Sequence, residues 1–229
     1  MDKIFQRERY NYDMSRYVEL PNYNNYVVEI DFNDLTLAIE NYMKLTIDGN
    51  GEYNDEFVKK YFDSSTVAEF EEKWAETEAR RKFHEYLKEN TKFIAFPQKE
   101  YEERKKELLE NAEDFQKHFG ISFDDYIKNK LKTTLTEYIQ EQMKDEMLII
   151  ALADKEGIKP TCEMVEKEKE KFVSNISSHY IEEHGNTEKE AISRAEIEFE
   201  NQGGLYYAYE NVLVCEILRK ILKYSKKST

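Results

Sequence analysis

Glycine and proline are scarce in this chain, with 7 Gly and 3 Pro among 229 residues. So few turn formers argue against a strand-and-turn architecture and for helices. Cysteine is scarcer still: Cys162 and Cys215 stand far apart and match no metal-ligand spacing. Each is expected to be a small apolar filler in a core, and neither a disulfide nor a redox compartment follows from two distant thiols. No apolar run reaches the ~20 residues of a membrane span; the oiliest stretch, MLIIALA at 147–153, is far too short. Membrane insertion is therefore not expected. The first twenty residues hold no apolar signal-type segment, so the expectation is a cytoplasmic protein, with export the alternative if a processed leader preceded the sequence given.

Catalytic signatures are missing as well. There is no Gly-rich phosphate loop, no G-x-S-x-G and no Cys/His nucleophile pattern. His84, His118, His179 and His184 are scattered; the last pair is five apart, off the i, i+4 spacing that places two ligands on one helical face, and no H-E-x-x-H occurs. The acidic residues of EKEKEK (166–171) read as a solvated helix face with i, i+4 pairs. No enzyme activity, metal or cofactor is expected.

What the chain does have is charge and aromatic bulk. Its net charge of −14 and pI near 4.9 oppose phosphate backbones and anionic lipid, so nucleic acid is not an expected partner. Polypeptide is a permitted one. Seventeen Tyr and 13 Phe supply material for a core.

Along the chain, residues 1–16 read as an extended or frayed arm. Tyr26–Ile30 alternates as a short strand, and Asp31 or Asn33 opens a helix to about Lys44 with Leu35, Ile39 and Tyr42/Met43 inward. Asp48-Gly49-Asn50-Gly51 is the densest turn signal, and the main boundary is placed there. Downstream, helices are expected from Asn54 or Asp55 to Tyr61, and from caps at Ser64/Ser65 to Asn90. Phe93–Pro97 is an extended connector. A helix from Pro97 to Gly120 carries the stripe Tyr101, Leu108, Ala112, Phe115 and Phe119, and Ser122 caps a short helix to about Leu131. A helix from Thr134 or Thr136 to Glu156, apolar nearly all round, is the buried post of the core, stopped by Gly157. Thr161 caps the next, to His184; an amphipathic stretch runs from Asn186 to Phe199; and after Gly203-Gly204 a last helix spans about Leu205 to Tyr224, with Cys215 among its apolar positions.

Several segments, in order, resemble the C-terminal chaperone domain of bacterial trigger factor. Glu52-Tyr53-Asn54-Asp55-Glu56-Phe57-Val58-Lys59-Lys60, with Phe62 and Val67–Phe70, is similar to the family's "LDDEFAKK" entry into its helical domain. Asn90–Pro97 resembles its connector, His118–Tyr126 its "GISLEEYL" corner, and Ala151–Thr161 its "AIAEKEGIEVTEEE" hinge. Tyr23–Met43 resembles the linker that precedes that domain. Between linker and helical domain the family carries a peptidyl-prolyl isomerase domain, and here only Asp48–Gly51 occupies that place. The ribosome-docking loop has no counterpart in the sequence.

The resemblance implies a mainly α fold: a SurA-like multi-helix body with two helical arms, at about 97–132 and 161–200, behind a short strand-and-helix linker. Residues 1–50 would be that extended arm and remnant linker, and 51–229 the chaperone-like domain. The implied function is ATP-independent binding of unfolded or partly folded polypeptide in a helical cradle, without isomerase activity. The alternative is a scaffold or assembly factor for one dedicated partner, and a homodimer is a further possibility. Candidate client contacts are Phe93, Phe96, Tyr101, Phe115, Phe119, Phe172, Ile176 and Tyr180.

Overall fold

Short polar residues set most helix starts. Asn54 accepts a hydrogen bond from the Phe57 amide at 3.0 Å, and Thr134 and Thr187 each form a reciprocal capping box with a glutamate three residues on. These boundaries belong to a computed structural model that describes residues 3–7, 9–46 and 52–227. The expected Asp48–Gly51 boundary lies outside those residues.

The fold is mainly helical. Its first elements are a 3-10 turn Met14–Arg16, strands β1 (Val18–Glu19) and β2 (Val28–Ile30), then helices α1 (Phe32–Thr46), α2 (Asp55–Tyr61) and α3 (Val67–Asn90). Strand β3 (Lys92–Phe93) leads to α4 (Gln98–Glu110), α5 (Ala112–Phe119), α6 (Phe123–Asp125) and a π-helical turn Tyr126–Leu131. There follow α7 (Leu135–Glu156), α8 (Cys162–His184), α9 (Glu188–Asn201), α10 (Gly204–Ile221) and β4 (Tyr224–Lys226). No helix among the described residues is long and apolar enough to cross a membrane.

Contacts group the chain into two units that are discontinuous in sequence: residues 1–21 with 91–219, and residues 22–90 with 220–229. This differs from a division at residue 50, because strand pairing and helix packing tie distant segments together.

In the unit of residues 22–90 and 220–229, β2 pairs in parallel with β4, Val28 opposite Tyr224 and Ile30 opposite Lys226. The helix expected to reach Tyr224 thus ends at Ile221, and the next residues give their backbone groups to β2. Val28 and Ile30 are buried, as their alternation requires. Tyr26 stacks on Tyr86 of α3, ring centroids 3.7 Å apart. Asp31 accepts from the Asn33 amide at 3.0 Å and so caps α1. Leu35 and Ile39 pack with Phe57 and Val58, ringed by Tyr42, Phe62, Phe70 and Trp74. The start of α3 falls slightly later than expected: Thr66, rather than Ser64 or Ser65, accepts from the Glu69 amide at 3.1 Å.

In the unit of residues 1–21 and 91–219, α7 supplies the core. Ile139, Met143, Met147, Leu148, Ile150, Ala151, Leu152 and Ala153 are all buried. Gly157 ends the helix at φ +67, a left-handed conformation that suits glycine. The α4 helix and the 3-10 turn pack on α7, while α8 and α9 form an antiparallel hairpin, turned at Gly185 (φ +64). The single helix expected from Pro97 to Gly120 is two, separated by a turn at Asn111, whose φ of −88° and ψ of −2° flatten the helical backbone there. Cys215 is exposed and Cys162 half-buried. Position 215 lies between Leu213 and Ile217, which face inward, and two residues turn a helix by about 200°.

Of residues 1–16, the described ones are not frayed; they bend at Tyr10 and end in the 3-10 turn Met14–Arg16. Ile4 bridges Thr161, the Phe5 amide donates to the Pro160 carbonyl at 3.0 Å, and the Cys162 amide donates to the Lys3 carbonyl at 2.8 Å. Arg7 holds both carboxylate oxygens of Asp154 at 2.9 and 3.1 Å. Tyr10 and Met14 are buried. The signal for an arm, many polar residues and little periodicity, describes a segment without secondary structure of its own, and backbone pairing with a distant turn leaves no such local trace.

Candidate functional site

The eight candidate contacts fall at separate places in the unit of residues 1–21 and 91–219. Phe93 and Phe96 stack on the connector, centroids 6.3 Å apart, and the Lys144 ammonium lies 5.7 Å from the Phe93 ring. Tyr101 is half-buried, with its hydroxyl 3.1 Å from that of Thr136. Phe115 meets Phe119, Phe123 and Tyr126 at 4.7 to 5.2 Å, at the corner between α5 and α6. Phe172 meets Phe199 of α9 and Tyr207 of α10 at 5.5 and 5.8 Å. Ile176 is half-buried on α8, and Tyr180 donates its hydroxyl to Glu198 at 3.1 Å across the hairpin. Ring contacts therefore join Phe93 with Phe96 and Phe115 with Phe119. Of the eight, Phe119 is the one open to solvent, at 68% exposure.

Apolar side chains outside the expected stripes are exposed as well. Leu109 of α4 stands beside the stripe position Leu108, and Ile197 of α9 is 60% exposed beside half-buried Glu198 and buried Phe199. The sequence signal was present: an apolar residue one step off the inward stripe has to face elsewhere on the helix.

A second arrangement carries no motif. The α4 helix presents Glu100, Arg104 and Glu107 at i, i+4 and i+7, α7 presents Gln142 and Glu146 at i and i+4, and α10 presents Tyr206 and Glu210 at the same spacing. Into the slot these residues define runs the segment Arg9–Tyr12, which bends at Tyr10, whose φ of +52 is left-handed. The Arg9 guanidinium donates to Glu107 at 2.8 Å and lies 5.7 Å from the Tyr206 ring centroid. The Tyr10 ring is 1% exposed; its amide donates to Glu100 at 3.2 Å and its hydroxyl to Glu146 at 3.0 Å. Tyr12 donates its hydroxyl to the other oxygen of Glu100 at 2.8 Å. Glu146 also takes an ion pair from Arg104, and Glu100 is 5% exposed.

The electrostatics follow from burial. Loss of hydration, and then the neighbouring Glu146, push the Glu210 carboxyl up to about 7, against the pull of Arg9 and Arg104. Burial and the Glu146 carboxylate likewise push the Tyr10 phenol up, so it remains a hydrogen-bond donor throughout the physiological range. The Tyr206 hydroxyl oxygen is buried and has no hydrogen-bond partner.

Chemically, the slot can hold a cation and hydroxyl-bearing aromatics by charge-assisted hydrogen bonds. Among the described residues, no group of three or more His, Cys, Asp or Glu is placed to hold a metal ion. Compared with protein-family models, with curated proteins and with solved structures, the chain has no match.

Proposed function

We propose that this protein binds unfolded or partly folded polypeptides without ATP, in a cradle formed by the helical arms of residues 97–132 and 161–200, and that it has no isomerase activity. One observation carries the reading. Among the described residues, eleven large apolar side chains are exposed, and six of them lie on these arms: Leu109, Phe119, Leu131, Ile181, Ile192 and Ile197. Desolvating such side chains against an unfolded client supplies non-directional attraction of ~25 cal/mol per Å² of apolar surface. Ion pairs along the same helices, such as Lys167–Glu163 at 2.7 Å and Lys106–Glu110 at 3.6 Å, keep the surrounding surface hydrated. The ordered segments that resemble the trigger factor chaperone domain point the same way.

The test is light scattering of a chemically denatured client diluted into buffer without nucleotide. Stoichiometric protein should suppress the signal, and an unchanged aggregation curve would remove the proposal.

The slot around Arg9–Tyr12 favours a second reading, a scaffold for one dedicated partner, because buried hydrogen bonds select partners more sharply than apolar patches do. One stoichiometric partner in a pulldown, with no effect on generic clients, would establish that reading instead.

A further inference from the structure

The Arg9–Tyr12 segment is held by the kind of contacts that hold a bound peptide. It has no helix or strand of its own, it turns at Tyr10, and side chains of three helices receive it. A cation meets Glu107, a backbone amide and a hydroxyl share Glu100, and a buried tyrosine reaches Glu146. A slot built for stability alone has little use for these groups, since well-packed apolar residues do as well or better than buried ion pairs.

One further observation separates a resident segment from a structural one. The slot is not fully satisfied by what fills it: the buried Tyr206 hydroxyl finds no partner, although buried polar groups are nearly always paired.

We propose that the slot formed by α4, α7 and α10 is a recognition site for non-helical polypeptide carrying a basic residue followed by a tyrosine at which the backbone turns, and that Arg9–Tyr12 is its internal, competing occupant. The inference rests on the polypeptide-binding reading and names a class of client for it. A bound client segment places its cation against Glu107 and the face of Tyr206, and its tyrosine hydroxyl on Glu146. The Tyr206 hydroxyl remains to bond a client carbonyl that the internal segment does not supply. Binding in trans then competes with the chain's own segment, so apparent affinity is lowered by the fraction of time the slot is filled.

The experiment is fluorescence anisotropy with a labelled synthetic peptide of residues 3–16 and a scrambled control, titrated with full-length chains. Wild type and an Arg9→Ala/Tyr10→Ala variant, which empties the slot without altering its walls, are compared after circular dichroism and urea unfolding confirm cooperative folding. The variant should bind the peptide at least tenfold more tightly than wild type, and the scrambled peptide should bind neither. Adding Glu100→Gln and Glu146→Gln to the variant should abolish the gain. A folded variant that binds both peptides alike, or neither, overturns the proposal.

If the variant does not fold, wild type decides through hydrogen exchange. Excess peptide should speed exchange at the Tyr10 amide, which Glu100 protects, and an unchanged rate overturns the proposal. Aggregation suppression by the same chains separates the two readings. Suppression without peptide discrimination sinks only the inference. Peptide discrimination without suppression sinks only the general chaperone reading.

Discussion

Glu210 gives the site a measurable pH dependence. Its carboxyl sits among Glu146 of α7, Arg104 of α4, and Arg9 and Tyr206 beside it, and burial first, then Glu146, raises it from an ordinary 4.5 to about 7. Below the lower value, folded and unfolded chains are both protonated and the group contributes no difference. As pH climbs from about 4.5 to about 7, the unfolded chain releases its proton while the folded chain keeps it, so stability falls across that window and levels off above it. At about 1.4 kcal/mol per pH unit between the two values, the fall is roughly 3 kcal/mol. Partial exposure of the side chain reduces this to about 2 kcal/mol.

Glu210→Gln removes the titration and keeps the shape. Urea unfolding of wild type and variant at pH 5 and pH 8 gives four stabilities. The variant's gain at pH 8 over its effect at pH 5 should be about 2 kcal/mol in its favour. The charged groups that act on Glu210 are Glu146, Arg9 and Arg104, so the contribution of more distant groups cancels in the difference. A variant that parallels wild type at both pH values, or that loses stability only at pH 8, would refute the reasoning.

Tyr10→Phe deletes the donor to Glu146 within the slot and should cost about 1.5 kcal/mol in denaturant unfolding, as hydrogen bonds to charged groups do. Gly157→Ala and Gly185→Ala should each cost about 1 kcal/mol: a Cβ at either place meets nothing within 4 Å, so the whole loss is backbone strain at positive φ. Thr134→Ala removes the cap of α7, with an expected cost of about 1 kcal/mol, and Thr134→Ser should recover most of it. Asp154→Asn weakens the Arg7 clamp, and limited proteolysis should then cut residues 3–16 sooner than in wild type while the helices stay resistant.

The elements that local chemistry dictates were legible in the sequence. Thr134 and Gly157 bracket α7, and Thr161 opens α8, because caps and left-handed glycines act within a single turn. The burial of Met147 to Ala153 followed from a helix apolar on nearly every face. What the sequence concealed was long-range pairing. The β2–β4 pair joins residues almost two hundred positions apart, and nothing in Tyr224-Ser225-Lys226 marks it as a strand beyond its partner's need for hydrogen bonds. The break at Asn111 was hidden because asparagine is tolerated in a helix and the apolar stripe continues across it. The slot was invisible for a related reason. Glu100, Glu146 and Glu210 each read as one more charge on a solvated face, and their distinction is that three helices turn those faces toward one another. Of the candidate client contacts, Phe172 and Tyr180 sit in hairpin packing while Phe119 is exposed, and a helical stripe alone cannot tell an open face from a packed one.

The central claim, that the arms hold non-native polypeptide, is tested most directly by site-specific photo-crosslinking. A photoreactive phenylalanine analogue is placed at Phe119, at Ile197 and, as a control of similar exposure outside the arms, at Leu37. Each chain is then illuminated with a denatured client in the absence of nucleotide. Positions 119 and 197 should capture client several times more efficiently than position 37, and native client should be captured at none of them. Equal capture at all three positions, or none at 119 and 197, would contradict the account.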